Sequence, residues 1–468
     1  MAITFLDIFR NQYIRYTIFN PKSIKSIEGC SGGGGGRKGK KGKELINSPA
    51  LLEMLEVYAM PWNFVKHYLP TPDKYSPKKR HDSIIRYTTH YDATAETLHK
   101  LLEWSPDFSP NDRDITNYVG LHGNLPIIQY LDTRFPKNDC WTSDVMDYAS
   151  WFGRLSIVEY LHHNRSEGCS TNAMDWAASS EHFDIVKFLH FNRSEGCTSN
   201  ALDAASRYGS MEIVKFLHLN RTEGCSTNAM DTAAENGHLE VVKFLHFNRT
   251  EGCSTRAMDG ASRNGYLQVL EFLHHHRSEG CTREAMDYGC TTRAYDDAAE
   301  AGHLQVVAFL RAHRTEGGTT DALDWAARRG HLSMVKYLME SNQSTVGPTG
   351  KQSPTIIGTF KAMDKAAFYG HIEVLQYLHN HNMPCTKDAM NWAAMNGHLN
   401  VVQFLDQNRT EGCTSNAIDM AAVNGHLSCI KYLIDHRTEG YSSTAITDAT
   451  NKGYLSIVEF LNIHPNNN

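Results

Sequence analysis

The feature that most constrains this chain is a period. From Trp141 onward the sequence restates itself about every 28 residues. It does so most clearly in NAMDWAASSEHFDIVKFLHFNRSEGC from Asn172, NALDAASRYGSMEIVKFLHLNRTEGC from Asn200 and NAMDTAAENGHLEVVKFLHFNRTEGC from Asn228. A repeat this short cannot bury an apolar face alone, so successive copies must stack and share one core. Asp147, Asp175, Asp203, Asp231, Asp259 and Asp287 carry the register. It breaks where CTREAMDYG, ending at Gly289, is restarted at once by CTTRAYDDA from Cys290, a local tandem duplication that brings in Asp296. It resumes at Asp324, jumps to Asp364, and continues through Asn391, Asp419 and Thr447. A weaker copy centres on Asn117, giving about a dozen full repeats.

Each repeat predicts two helices. In one copy Ala229, Met230, Ala233 and Ala234 share a short inner-helix face, and Gly237 follows where a left-handed residue ends a helix. The outer helix, His238 to Phe247, carries Leu239, Val241, Val242, Phe244 and Leu245 as a wide apolar stripe. Residues 248–252 turn the chain, and Ser254 or Thr255 can cap the next inner helix. No strand signal interrupts the pattern.

AAENGHLEVVKFL, Ala233 to Leu245, resembles the ankyrin repeat's inner-helix end, Gly-His loop and outer helix. Two departures stand out: the ankyrin T-P-L-H tetrapeptide is replaced by residues such as Asn228-Ala229-Met230-Asp231, and the copy is 28 residues rather than about 33. The resemblance is to the shortened ankyrin arrays of amoebal proteins. It implies an all-α helical repeat solenoid with short turns in place of full β-hairpin fingers. It also implies recognition of protein partners on the concave, inner-helix surface.

Composition narrows the class further. With 41% hydrophobic residues and a formal net charge of −6, the chain is neither a polycation nor an acidic tail. No apolar run approaches the roughly 18 residues of a spanning helix. MAITFLDIFRNQYIRYTIF is broken by Asp7, Arg10 and Arg15, unlike a secretory leader. An intracellular protein is therefore expected, in the cytoplasm, with the nucleus as an alternative, monomeric and without membrane insertion. The sequons at Asn164, Asn192, Asn220, Asn248 and Asn408 are then products of the repeat.

The expected organisation has amphipathic N-terminal helices at 1–30 and a Gly/Lys-rich flexible linker at 31–48. Degenerate capping repeats follow at 49–110, then the repeat array at 111–464 with a polar loop insertion at 341–358. Gly34 through Lys40 imitates a phosphate loop but lacks the following Ser/Thr and a preceding strand.

Histidine and cysteine are abundant, at 25 and 11, but most follow the register. Cys169, Cys197, Cys225, Cys253, Cys281, Cys290, Cys385 and Cys413 share one slot, with Gly318 and Tyr441 elsewhere in it. Equivalent residues of stacked helices sit about 8–10 Å apart, too far for a disulfide or a shared metal. No C-x-x-C occurs. His182, His238, His303, His331, His371, His398 and His426 occupy the loop slot, with Tyr266, Tyr454 and Ser210 as exceptions. No nucleophile-base pair, metal site or cofactor motif emerges, so no enzyme, metal or cofactor is expected.

What varies is more informative. The residue after the register position is Tyr148, Trp176, Ala204, Thr232, Gly260, Tyr288, Asp297, Trp325, Lys365, Trp392, Met420 or Asp448. The two residues before the loop Gly vary as well. Slots not pinned by packing are free to read a partner, and Trp176, Tyr208, Trp325, Arg328, Arg329, Phe368, Tyr369 and Trp392 are residue types that dominate interfaces. These are the expected partner-binding residues of a non-enzymatic scaffold. The alternative is an adaptor of ubiquitin-ligase type, docking a second machine through Phe5 to Phe19. Nucleic-acid binding has only the Gly/Lys spacer and Arg328-Arg329 in its favour.

Overall fold

The computed structural model describes residues 52–465 other than 91, 111–113, 123, 138, 278–289, 314–316 and 342–357. The expected helices at 1–30, the linker at 31–48, the first duplicated copy and nearly all of the 341–358 insertion lie outside the described residues. Among the described residues the secondary structure is helical, with no strand. They fall into two compact parts, divided between Ala201 and Leu202.

The first part opens with helices Glu53–Glu56, Trp62–Val65, Pro77–Thr88 and Ala95–Trp104. The buried Arg80 ties this start together: its Nη1 donates to the carbonyls of Pro72 and Tyr75 at 2.8 and 2.7 Å, and its Nη2 pairs with Asp107. Helix pairs Asp114–His122 with Leu125–Arg134, Asp144–Trp151 with Leu155–Asn164, and Asn172–Ser179 with Phe183–Asn192 follow. The second part repeats the same pair through to Ser443–Lys452 and Leu455–Ile463.

One repeat shows why these residues fold so. Ser226 caps Thr227–Glu235 by accepting the Asn228 N–H. Ala233 and Ala234 are fully buried, and their small side chains let neighbouring inner helices approach closely. Gly237, at φ 78°, makes the reversal that a Cβ would strain. The outer helix is Leu239–Asn248, one residue later than the apolar pattern suggests, because His238 takes a non-helical φ −81°, ψ 68°. Val241, Val242 and Leu245 form its buried stripe.

The outer helix ends on an amide. The Nδ2 of Asn164, Asn192, Asn220, Asn248 and Asn408 donates to the carbonyl four residues back, at 2.8 Å in each case. His276, His313, His381, His436 and His464 do the same through Nδ1 at 2.8–3.0 Å. The sequon asparagines thus have a helix-ending job that histidine shares, which accounts for part of the histidine content.

At the duplication, the second copy supplies the inner helix, Cys290–Ala301. A Cβ on Gly318 would collide with the buried Tyr295. Gly replaces the usual Cys there because Tyr295 replaces the usual Met of the preceding inner helix.

Candidate functional site

Within each part, three registered devices join neighbouring repeats, and together they position the variable slots. In the first, the register aspartate holds the start of the following repeat's inner helix. Asp147 accepts the Ser170 N–H and hydroxyl at 2.9 and 2.5 Å, and Asp175 those of Thr198 at 2.8 and 2.6 Å. In the second part Asp231 binds Ser254, Asp296 binds Thr319, and Asp324 reaches across the insertion to Thr359 at 3.0 and 2.7 Å. Asn391 does the same for Thr414 with a neutral amide oxygen. Burial pushes Asp147, Asp231, Asp324 and Asp364 above the ordinary carboxylate range and Asp296 to about 6, against the opposing effect of these hydrogen bonds.

In the second device, a loop histidine lies over the loop glycine of the preceding repeat. His182 over Gly153, and His238, His371, His398 and His426 over Gly209, Gly330, Gly370 and Gly397, leave no room for a Cβ. In three of them Nε2 also reaches a last-turn carbonyl of the helix below. His182 donates to Trp151 at 3.1 Å, His371 to Arg328 at 3.0 Å and His398 to Phe368 at 3.1 Å. Those carbonyls belong to variable slots. Desolvation keeps His331 and His398 below the usual imidazole range, which suits a neutral structural ring.

The third device is the Arg-x-Glu-Gly turn. Arg193, Arg249 and Arg437 each pair with the Glu two residues on. Glu195, Glu251 and Glu439 then accept the N–H of Cys169, Cys225 and Cys413 in the preceding repeat, at 3.3, 3.4 and 3.5 Å. The arginine hydrogen bonds hold Glu251 and Glu439 at about 2. Burial pushes the neighbouring thiols up, Cys169 and Cys225 to about 12 and Cys413 to about 11. Such thiols are poor nucleophiles and poor metal ligands.

The variable slots lie where these devices leave the inner helices open. In the second part, Arg328, Phe368, Tyr369 and Trp392 meet. Arg328 lies over the Tyr369 ring at 5.5 Å and donates to its hydroxyl at 3.2 Å. Phe368 packs edge-on to Tyr369 at 4.7 Å and to Trp392 at 5.9 Å between ring centres. Lys365 joins them, its Nζ 4.7 Å from the Trp392 ring centre and 5.6 Å from that of Phe368. Tyr369 is 42% exposed, while Phe368, Trp325 and Trp392 are half-buried, less open than the sequence pattern suggests, because packing covers part of each ring. Arg329 points elsewhere, bound to Glu300 at 2.9 Å. Tyr208 is exposed, with the Arg207 guanidinium 5.8 Å from its ring centre.

Trp176 belongs to a separate cluster in the first part. Its ring lies 5.2 Å from Trp151 and 5.7 Å from Tyr148, and Trp151 is 40% exposed. Trp151 and Lys365 are absent from the expected set, yet both occupy variable slots, Trp151 that of Arg207 and Arg328, and Lys365 that of Trp176 and Trp392. The slot position itself is the sequence signal for both residues.

Burial and the charge of Asp297 push Asp259 up to about 7, but Arg263 and Arg293 face the pair, and Asp297 takes Arg263 at 2.7–2.8 Å. Among the described residues no group of three or more His, Cys, Asp or Glu side chains could hold a metal. Among the same residues no helix is long and apolar enough to cross a membrane.

Comparison with known proteins agrees with this architecture. Residues 174–259 match the family model for ankyrin repeats in three copies, and residues 295–339 and 363–405 match that for ankyrin repeats in many copies. No curated protein matches the chain. The matched segments coincide with helix pairs whose glycine-bearing loops and small inner helices are described above, and the chain carries ankyrin repeats there.

Proposed function

We propose that this chain is a non-enzymatic recognition scaffold that grips partner proteins through the variable slots of its inner helices. Ankyrin repeats are in general protein–protein interaction modules, which supplies the class. One observation carries the specific reading: Arg328, Phe368, Tyr369 and Trp392, each from a slot that packing leaves free, gather with Lys365 into one patch. The backbone beneath is already clamped by His371 and His398, so little ordering cost remains for a partner to meet. The Trp151–Trp176–Tyr148 cluster offers a second anchoring surface of the same residue types. In this reading the chain acts inside the cell, in the cytoplasm, as a monomer.

The test is affinity purification with mass spectrometry on the intact chain and on a Trp176→Ala, Trp325→Ala, Phe368→Ala, Trp392→Ala variant shown by circular dichroism to be folded. Partners retained by the intact chain and lost by the variant are expected. Identical partner sets would remove the inner-helix slots as the binding surface.

A further inference from the structure

We infer that the patch around Lys365 and Arg328 binds an acidic polypeptide segment; this rests on the reading of the surface as a protein-binding one. The argument is one of charge left over. Most of the inner-helix and turn arginines described above are met by a carboxylate: Arg263 by Asp297, Arg329 by Glu300, and the turn arginines by their glutamates, while Arg207 lies alone near the Tyr208 ring. Lys365 and Arg328 differ. Among the described residues neither forms a salt bridge, and both instead lie on aromatic faces, Lys365 on Phe368 and Trp392, Arg328 on Tyr369.

A ring attracts a cation through its quadrupole but does not cancel the charge. The patch therefore presents two cations held in place by rings, with no acid of its own on them. A basic segment laid there would set like charges together. A purely apolar one would strip water from both cations and return nothing. An acidic segment with an interleaved aromatic or aliphatic side chain satisfies both demands: its carboxylates meet the Lys365 and Arg328 nitrogens, and its apolar group meets Phe368 and Trp392. Nucleic acid fits less well. Two cations fall short of the roughly 6–10 phosphate contacts of a salt-sensitive nucleic-acid site, and the chain's net charge of −6 opposes it.

The experiment selects a phage-displayed random-peptide library on the full chain, then measures the enriched peptides by fluorescence anisotropy. The enriched pool is expected to be net acidic with an aromatic or aliphatic residue among the acids. Affinity should fall about tenfold in Lys365→Gln and further in Lys365→Gln/Arg328→Gln, and survive in Lys365→Arg. These positions are half-exposed, and circular dichroism confirms each variant's fold. A neutral or basic pool that is still lost in Phe368→Ala/Trp392→Ala would overturn the acidic assignment while leaving the binding surface in place. A pool that the Phe368→Ala/Trp392→Ala variant enriches equally would overturn both. Tighter, steeply salt-dependent binding of a single-stranded oligonucleotide would overturn the assignment in favour of nucleic acid.

Discussion

Replacing Gly397 by Ala tests whether the loop histidines lock the repeats or merely line the turn. Gly397 sits at φ 77°, and a Cβ built there would lie 2.5 Å from Nδ1 of His426 in the next repeat. Two costs follow. Holding an L-residue in the left-handed region costs about 1–2 kcal/mol. Forcing the imidazole aside adds about 1–3 kcal/mol, the usual range for overpacking. Gly453 supplies the control: its φ is 78°, but nothing lies within 4 Å of the position a Cβ would take. Gly453→Ala should therefore show only the first cost, and Gly397→Ala about 2–5 kcal/mol in all. The assay is urea denaturation followed by circular dichroism, with His426→Ala combined with Gly397→Ala as a cycle. Removing the ring should recover the second cost, a coupling of about 1–3 kcal/mol. If Gly397→Ala costs no more than Gly453→Ala and the cycle shows no coupling, the ring-over-glycine contact does not hold the repeats together.

Two further outcomes follow from the other devices. Asp296→Asn should lie within about 1 kcal/mol of the parent at pH 7, since Asn391 already does this job uncharged, whereas Asp296→Ala should cost about 1 kcal/mol by removing the acceptor of both Thr319 donors. Because burial raises Asp296 to about 6, the folded chain takes up this proton more readily than the unfolded one. Its stabilising share is complete below about pH 4 and is lost as pH rises through about 6, a slope that Asp296→Asn should abolish in melts across that window. Cys413, pushed to about 11 by burial, should react with iodoacetamide at pH 8 roughly a hundredfold more slowly than a free thiol, and unfolding in urea should erase the difference in a mass-spectrometric time course. A fast native reaction would show an open thiol.

Much of this molecule was legible before any coordinates, for a specific reason. Period, helix pairing and the glycine reversal are local properties, written in the spacing of residues such as Ala233, Gly237 and Val242. The partners of the registered residues were not legible. The spacing announces that Asp231 recurs, but only stacking reveals that it caps Ser254 in the next repeat. The same holds for the variable slots. Alternation of Trp392, Phe368 and Lys365 is visible in the sequence, whereas the ammonium of Lys365 bridging the rings of two successive repeats is a product of how the inner helices pack. Trp151 escaped because its copy reads WFGRL, with Arg154 where other copies carry histidine.

The division of labour within a repeat gives many of the chain's 25 histidines and 11 cysteines structural contacts. A residue that recurs at every repeat is selected to make the same contact each time, and those contacts run between neighbours: Asp to the next cap, His over the previous glycine, Glu to the previous Cys amide. Each consumes the hydrogen-bonding capacity that catalysis or metal binding would need. Individuality is left to the positions that no neighbour claims. Because the clamping histidines bind the carbonyls of Arg328 and Phe368 themselves, the most repetitive residues hold the backbone of the least repetitive ones. Changing a slot side chain there alters what the surface reads without disturbing what supports it, so variants of Lys365 or Trp392 should separate binding from stability, and variants of His371 or His398 should not.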